Sequence, residues 1–146
     1  MKLEILFYLL SVLLVTSGKG QQDPTEHPKI LLLNAGNPTW PVKLTKQWFE
    51  GDPQYMLTFR NAKFKSFKIT GQGFFKFEFK EFGKALQMAL STEASSTVKF
   101  SEGVIKILSG KPGKKKVECR FATGTGIFRA NESDVKMIIC TIKKEE

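Results

Sequence analysis

Apolar and polar positions alternate along this chain in short runs broken by glycine and proline, and those runs predict β-strands. Phe75, Phe77 and Phe79 point one way while Lys76, Glu78 and Lys80 point the other, which is the period of two of an extended strand. Gly71-Gln72-Gly73 reads as the turn before that strand, with Phe64–Thr70 as its hairpin partner. Tyr55, Leu57 and Phe59 share a face opposite Met56, Thr58 and Arg60, following the turn composition of Glu50-Gly51-Asp52-Pro53. Thr97–Phe100 and Val104–Leu108 flank Ser101-Glu102-Gly103 as a second hairpin, with glycine at the turn. Lys111-Pro112-Gly113-Lys114 marks a third turn, since proline presets one central dihedral and glycine accepts a positive φ at the next. Val117, Cys119 and Phe121 alternate with Glu118 and Arg120, and Ile127–Ala130 forms another short run. Val135–Ile142 is nearly apolar on both faces, the pattern of a central strand.

Two stretches resist this scheme. Phe82–Leu90 fits a helical stripe through Phe82, Leu86, Ala89 and Leu90 and a strand through Leu86, Met88 and Leu90; the flanking β signals favour a strand, with a short helix as the alternative. Between the buried-strand run Ile30–Leu33 and Glu50, the punctuation Asn37-Pro38 and Trp40-Pro41 predicts an irregular or edge segment, which leaves Trp40, Trp48 and Phe49 outside clean alternation. No internal repeat of solenoid or propeller period is present. About eight short strands, with turns every eight to twelve residues or so, predict an all-β fold: an antiparallel, jelly-roll-like sandwich. The alternative is a β-barrel carrying a lipid, with Phe75, Phe77, Phe79, Leu57 and Phe59 lining its interior.

The amino terminus changes the setting. Met1–Gly20 has a lysine near its start, an apolar run from Ile5 to Val15 and a small-residue exit, the layout of a secretory signal peptide. That run is shorter than the roughly 20 apolar residues a spanning helix needs, and no second such run follows. The expected organisation is a signal over 1–20, a polar proline-containing leader over 21–29 and a single β-rich domain over 30–146. An extracellular location and the absence of a transmembrane segment follow as expectations.

Export gives the two cysteines a meaning. In an oxidising compartment Cys119 and Cys140 are expected to pair, closing a loop of about 20 residues and contributing about 3 kcal/mol. Asn131-Glu132-Ser133 is an N-glycosylation sequon in a polar gap between two apolar runs, so Asn131 is the expected glycan acceptor.

Catalytic and metal chemistry find little support. His27 is the one histidine and lies in the leader, which leaves Ser–His–Asp and Cys–His schemes without a well-held base. One histidine and two separated cysteines do not fill a structural zinc site. The short Gly124-Thr125-Gly126 and Gly71-Gln72-Gly73 segments are not phosphate loops. Most carboxylates stand beside lysines, as on a solvated face, and Asn131–Asp134 is the sole acidic knot. The expectation is a non-enzymatic protein with neither cofactor nor metal.

Charge supplies the partner hypothesis. The chain has 23 basic and 14 acidic side chains. Lys2, Lys19 and Glu4 belong to the signal, so the mature chain keeps 21 and 13, a net of +8. A basic exported protein suits anionic partners such as sulfated glycans, or an extracellular protein with an acidic surface, while export argues against nucleic acid. Lys111, Lys114, Lys115 and Lys116 are the candidate anion-binding cluster. Lys63, Lys65 and Lys68, with Lys76 and Lys80, form a second positive region, read as an anion-binding sheet face or as edge-strand protection. The function expected is that of a secreted binding protein with a basic surface. A carrier of a small hydrophobic ligand and a lectin-like, venom or defence component are the alternatives.

Overall fold

The computed structural model describes residues 28–146 apart from Ala94, Gly110 and Pro112. The signal assigned to Met1–Gly20, the leader through His27 and that histidine's place in it lie outside the described residues. Strand alternation builds two four-stranded antiparallel sheets. The first contains β1 (Ile30–Gly36), β2 (Pro41–Phe49), β3 (Asp52–Arg60) and β4 (Ile69–Phe75), followed by helix α1 (Lys76–Ser91). The second contains β5 (Thr97–Phe100), β6 (Gly103–Ser109), β7 (Lys116–Phe121) and β8 (Ile127–Asn131), followed by helix α2 (Glu132–Lys144). The expected eight-stranded antiparallel sandwich is what forms. Its strands run in sequence order within each sheet, as two meanders, where jelly-roll connectivity would interleave them. The same order of elements therefore occurs twice, four strands and a helix each time.

The inner faces make one core. Leu44, Leu57 and Phe59 from the first sheet are buried with Ile105, Val117 and Phe128 from the second. The Phe59 ring meets Phe128 edge-on at 5.4 Å and Phe121 at 5.8 Å, so the sheets touch directly there. Helix α1 packs on β3 and β4 and also on β5 and β6, while α2 packs on β8 and on β1. Each helix thus joins both sheets. The helices approach closely at Gly83, where a β-carbon would stand 2.8 Å from Ile142 Cγ2. The carboxyl end of α2 is tied to the first sheet by Glu145, whose Oε2 accepts from Lys46 Nζ at 2.7 Å and from Tyr55 OH at 3.2 Å.

Several expected strands are corrected. Val135–Ile142 is helical, because Val135, Ile138, Ile139 and Ile142 are its buried positions and lie on one helical face. Asn131 Oδ1 caps this helix by accepting from Asp134 N at 2.9 Å, with Glu132 and Asp134 in the first turn and Lys143 and Lys144 in the last, charges that suit the helix dipole. Phe82–Leu90 is helical as well. The phenylalanine alternation ends at Phe75, since Glu78 Oε2 accepts from Phe75 N at 2.9 Å and opens α1. Gly71-Gln72-Gly73 is not a turn but the middle of β4, paired in order with Thr58, Leu57 and Met56 of β3. Pro41–Phe49 is a regular strand rather than an irregular segment.

The barrel alternative fails on the same residues. Phe77 is 69 % exposed and Phe75 54 % exposed, while Phe79, Leu57 and Phe59 are packed in the core rather than lining a lumen. The disulfide is also corrected. Both cysteines are free, Cys119 buried on β7 and Cys140 exposed on α2. One thiol faces the core and the other faces solvent, so they share no face on which to meet. Burial pushes the Cys119 thiol far above its ordinary value, leaving it unreactive. Among the described residues no helix is long and apolar enough to cross a membrane.

Candidate anion-binding cleft

The lysine cluster divides once the chain folds. The turn from β6 to β7 is closed by Lys114 N donating to Lys111 O at 3.0 Å, with Gly113 at φ +82°. Lys111, Lys114 and Lys116 are exposed there, but Lys115 is 8 % exposed. Its ammonium turns inward and donates to Leu90 O and, at 2.8 Å, to Thr92 O at the carboxyl end of α1. Those carbonyls have no partner within the helix, and a cation suits that end of its dipole. Lys115 is therefore corrected from anion binder to helix cap. Replacing it with methionine is expected to cost about 2 kcal/mol in a urea titration, the loss of a charged hydrogen bond at a buried terminus. The exposed K114Q is expected to stay within about 0.5 kcal/mol.

Lys116 faces a different environment. Its β8 partner in the sheet is Asn131, and the two line a cleft of about 420 Å³ with Arg129, Leu108, Asp134, Asn37 and Trp40. Trp40 reaches this point from the first sheet because the β1–β2 turn is rigid. Asn37 Oδ1 accepts from both Thr39 N and Trp40 N at 2.9 Å. Gly36 lies at φ +76°, where a β-carbon would clash with Trp40 O, so only glycine suits the turn. Arg60 of β3 lies over the Trp40 ring at 4.5 Å and donates from Nη1 to Thr39 O at 3.1 Å.

Arg129 is held from below by Glu118, a 4 % exposed carboxylate on β7. Glu118 Oε2 accepts from Arg129 Nε at 2.8 Å and Oε1 from Arg120 Nε at 3.0 Å. Two arginines on one carboxylate leave a net positive charge and fix the Arg129 fork beside the cleft. Burial alone would raise the Glu118 carboxyl, but the hydrogen bonds from Arg129 and Arg120 outweigh it and hold it below its ordinary value. A carboxyl lowered in the folded state stabilises the fold above the unfolded value and ceases to do so as pH falls through the folded one. Stability is therefore expected to fall on acidification below about pH 4.5, and E118Q to remove that part of the fall. Equal acid limbs in pH-dependent denaturation of the two proteins would contradict this.

The sequence pattern identified Lys111, Lys114 and Lys116 as anion binders and Asn131 as a glycan acceptor, and the fold gathers Lys116 and Asn131 at the cleft with the other two lysines on the turn leading into it. Arg60, Arg129 and Asn37 were missed. Arg129 carries no local signal, since only the β7–β8 register brings it beside Lys116. A second depression of about 490 Å³ lies on the outer face of the first sheet, over Met56, Gly73 and Phe75 with Gln47, Gln54 and Lys29 at its margin. It holds none of the sequence-predicted site residues. Comparisons with protein-family models, with curated proteins and with solved structures found no match.

Proposed function

We propose that this is a secreted, non-enzymatic binding protein that takes a sulfated glycan in the cleft between Trp40 and Lys116. The observation that carries this reading is the convergence of Lys116 and Arg129, from the second sheet, with Trp40, from the β1–β2 turn of the first, around one cleft of about 420 Å³. A sulfated sugar presents what such a cleft complements. Its sulfates accept the arginine fork and the lysine point charge, and its apolar ring face stacks on an indole. Lys111 and Lys114 add positive potential along the approach.

Salt-gradient elution from immobilised heparin tests this. Wild-type protein is expected to elute above about 0.15 M salt, where exposed charges are already screened within about 8 Å. K111Q/K114Q/K116Q and W40A are each expected to elute earlier. Elution of wild type below that salt, or unchanged elution of both variants, would overturn the reading. Asn131 is exposed and is the proposed glycan acceptor. A chain attached there would stand at the mouth of the same cleft, so enzymatic removal of N-glycans from secreted material is expected to strengthen heparin retention.

A further inference from the structure

The β3–β4 loop forms a second surface, which meets the margin of the cleft through Arg60, whose guanidinium lies by both the Trp40 and the Phe67 rings. Every residue from Lys63 to Ile69 is exposed. Three of them are large and apolar: Phe64 at 40 %, Phe67 at 55 % and Ile69 at 47 % exposure. Lys63, Lys65 and Lys68 alternate with them, and no acidic side chain occurs from Pro53 to Phe77.

The loop is firmly held. Asn61 N donates to Lys68 O at 2.8 Å across its base, and Ala62 N donates to Ile127 O at 2.9 Å in the second sheet. Above that base the rings are ordered by cations. Lys68 Nζ lies 4.4 Å from the Phe64 ring centre, and Arg60 lies under Phe67 at 5.4 Å. A loop built only for solubility has no use for three exposed hydrophobic side chains, and edge protection asks for the lysines alone.

We infer that this loop docks on an anionic lipid bilayer, inserting Phe64, Phe67 and Ile69 at the headgroup boundary while Lys63, Lys65 and Lys68 meet the acidic headgroups. The charge complementarity is local and the apolar side chains stand between the charges, the arrangement of an interfacial membrane contact. A flexible polyanion would satisfy the lysines and leave the phenylalanines in water.

Co-sedimentation of the full chain with phosphatidylcholine vesicles, with and without phosphatidylserine, tests this. Binding is expected only with phosphatidylserine. K63Q/K65Q/K68Q is expected to weaken it about a hundredfold, at roughly 1 kcal/mol per lysine near the surface. F64S/F67S is expected to weaken it about tenfold or more. The exposed lysines Lys84, Lys99 and Lys144 lie elsewhere, so K84Q/K99Q/K144Q, with the same loss of charge, is expected to stay within about threefold. All these positions are exposed, and circular dichroism confirms that each variant is folded. Equal losses in the two lysine variants would assign binding to net charge alone. That result, unchanged binding of F64S/F67S, or binding indifferent to phosphatidylserine would each overturn the inference.

Discussion

Replacing Phe82 with alanine is expected to destabilise the protein by about 3–5 kcal/mol, a large part of the 5–15 kcal/mol that ordinarily separates folded from unfolded chains. Phe82 is fully buried. Its ring stacks on Phe74 of β4 at 5.0 Å and meets Phe100 of β5 at 5.8 Å and Phe121 of β7 at 6.0 Å. It therefore joins α1 to both sheets at once, and no single element can move to fill the space it leaves. The loss is expected as a lower urea midpoint with an unchanged slope, since the unfolded chain exposes nearly the same surface. Phe82→Leu keeps most of the volume and is expected to lose about 1.5 kcal/mol or less. A loss below about 1 kcal/mol for the alanine variant would mean that the helix does not bridge the sheets.

The second large effect is expected at Asn61, a 2 % exposed polar residue at the end of β3. Its Oδ1 accepts from Ile127 N at 3.0 Å and Lys63 N at 3.1 Å, and its Nδ2 donates to Thr70 Oγ1 at 3.2 Å and Thr125 O at 3.3 Å. One amide thus satisfies the start of β8, the β7–β8 turn and the base of the β3–β4 loop. Gly126 makes room for it, since a β-carbon there would stand 2.7 Å from Nδ2. Asn61→Ala leaves backbone donors without partners, at about 1–3 kcal/mol each, and a total near 3 kcal/mol is expected. Asn61→Asp keeps the acceptor half and loses the donor half, so an intermediate loss is expected. Hydrogen exchange locates the effect. The Ile127 amide is expected to lose protection in the alanine variant ahead of the strand interiors, and uniform loss across both sheets would contradict the local assignment.

The strands were largely legible because a half-buried strand writes its two faces as alternation, as Tyr55, Leu57 and Phe59 do. The hairpin through Ser101-Glu102-Gly103 and the Lys111–Lys114 turn were legible from turn chemistry. The helix over Phe82–Leu90 was legible only as the alternative to a strand, through the stripe of Phe82, Leu86 and Ala89 that it buries; the other helical segments were not legible, for two different reasons. In Val135–Ile142 the apolar character of both faces argued for a central strand, while the deciding signals were the Asn131 cap and the helical spacing of Val135, Ile138, Ile139 and Ile142. In Phe75–Phe79 a true period of two crosses a strand-to-helix junction. Phe75 ends β4, Phe77 faces solvent and Phe79 enters the core, stacked on Tyr55 at 4.1 Å. Lys115 shows the same limit for the site, since four neighbouring lysines look alike until the carbonyls at the end of α1 claim one of them. Trp40 and Lys116 are far apart in sequence, one in the β1–β2 turn of the first sheet and the other on β7 of the second, so only the packing of the sheets makes one cleft of them.

The most direct test of the binding account is a nitrogen-15 NMR titration of the full mature chain with a size-defined heparin oligosaccharide. The cleft predicts that the Trp40 indole N–H, the Arg129 Nε–H and the Lys116 and Asn131 amides shift together in one saturable process, with Lys115 unmoved. Shifts confined to Lys63, Lys65 and Lys68, or scattered over exposed lysines without saturation, would contradict it.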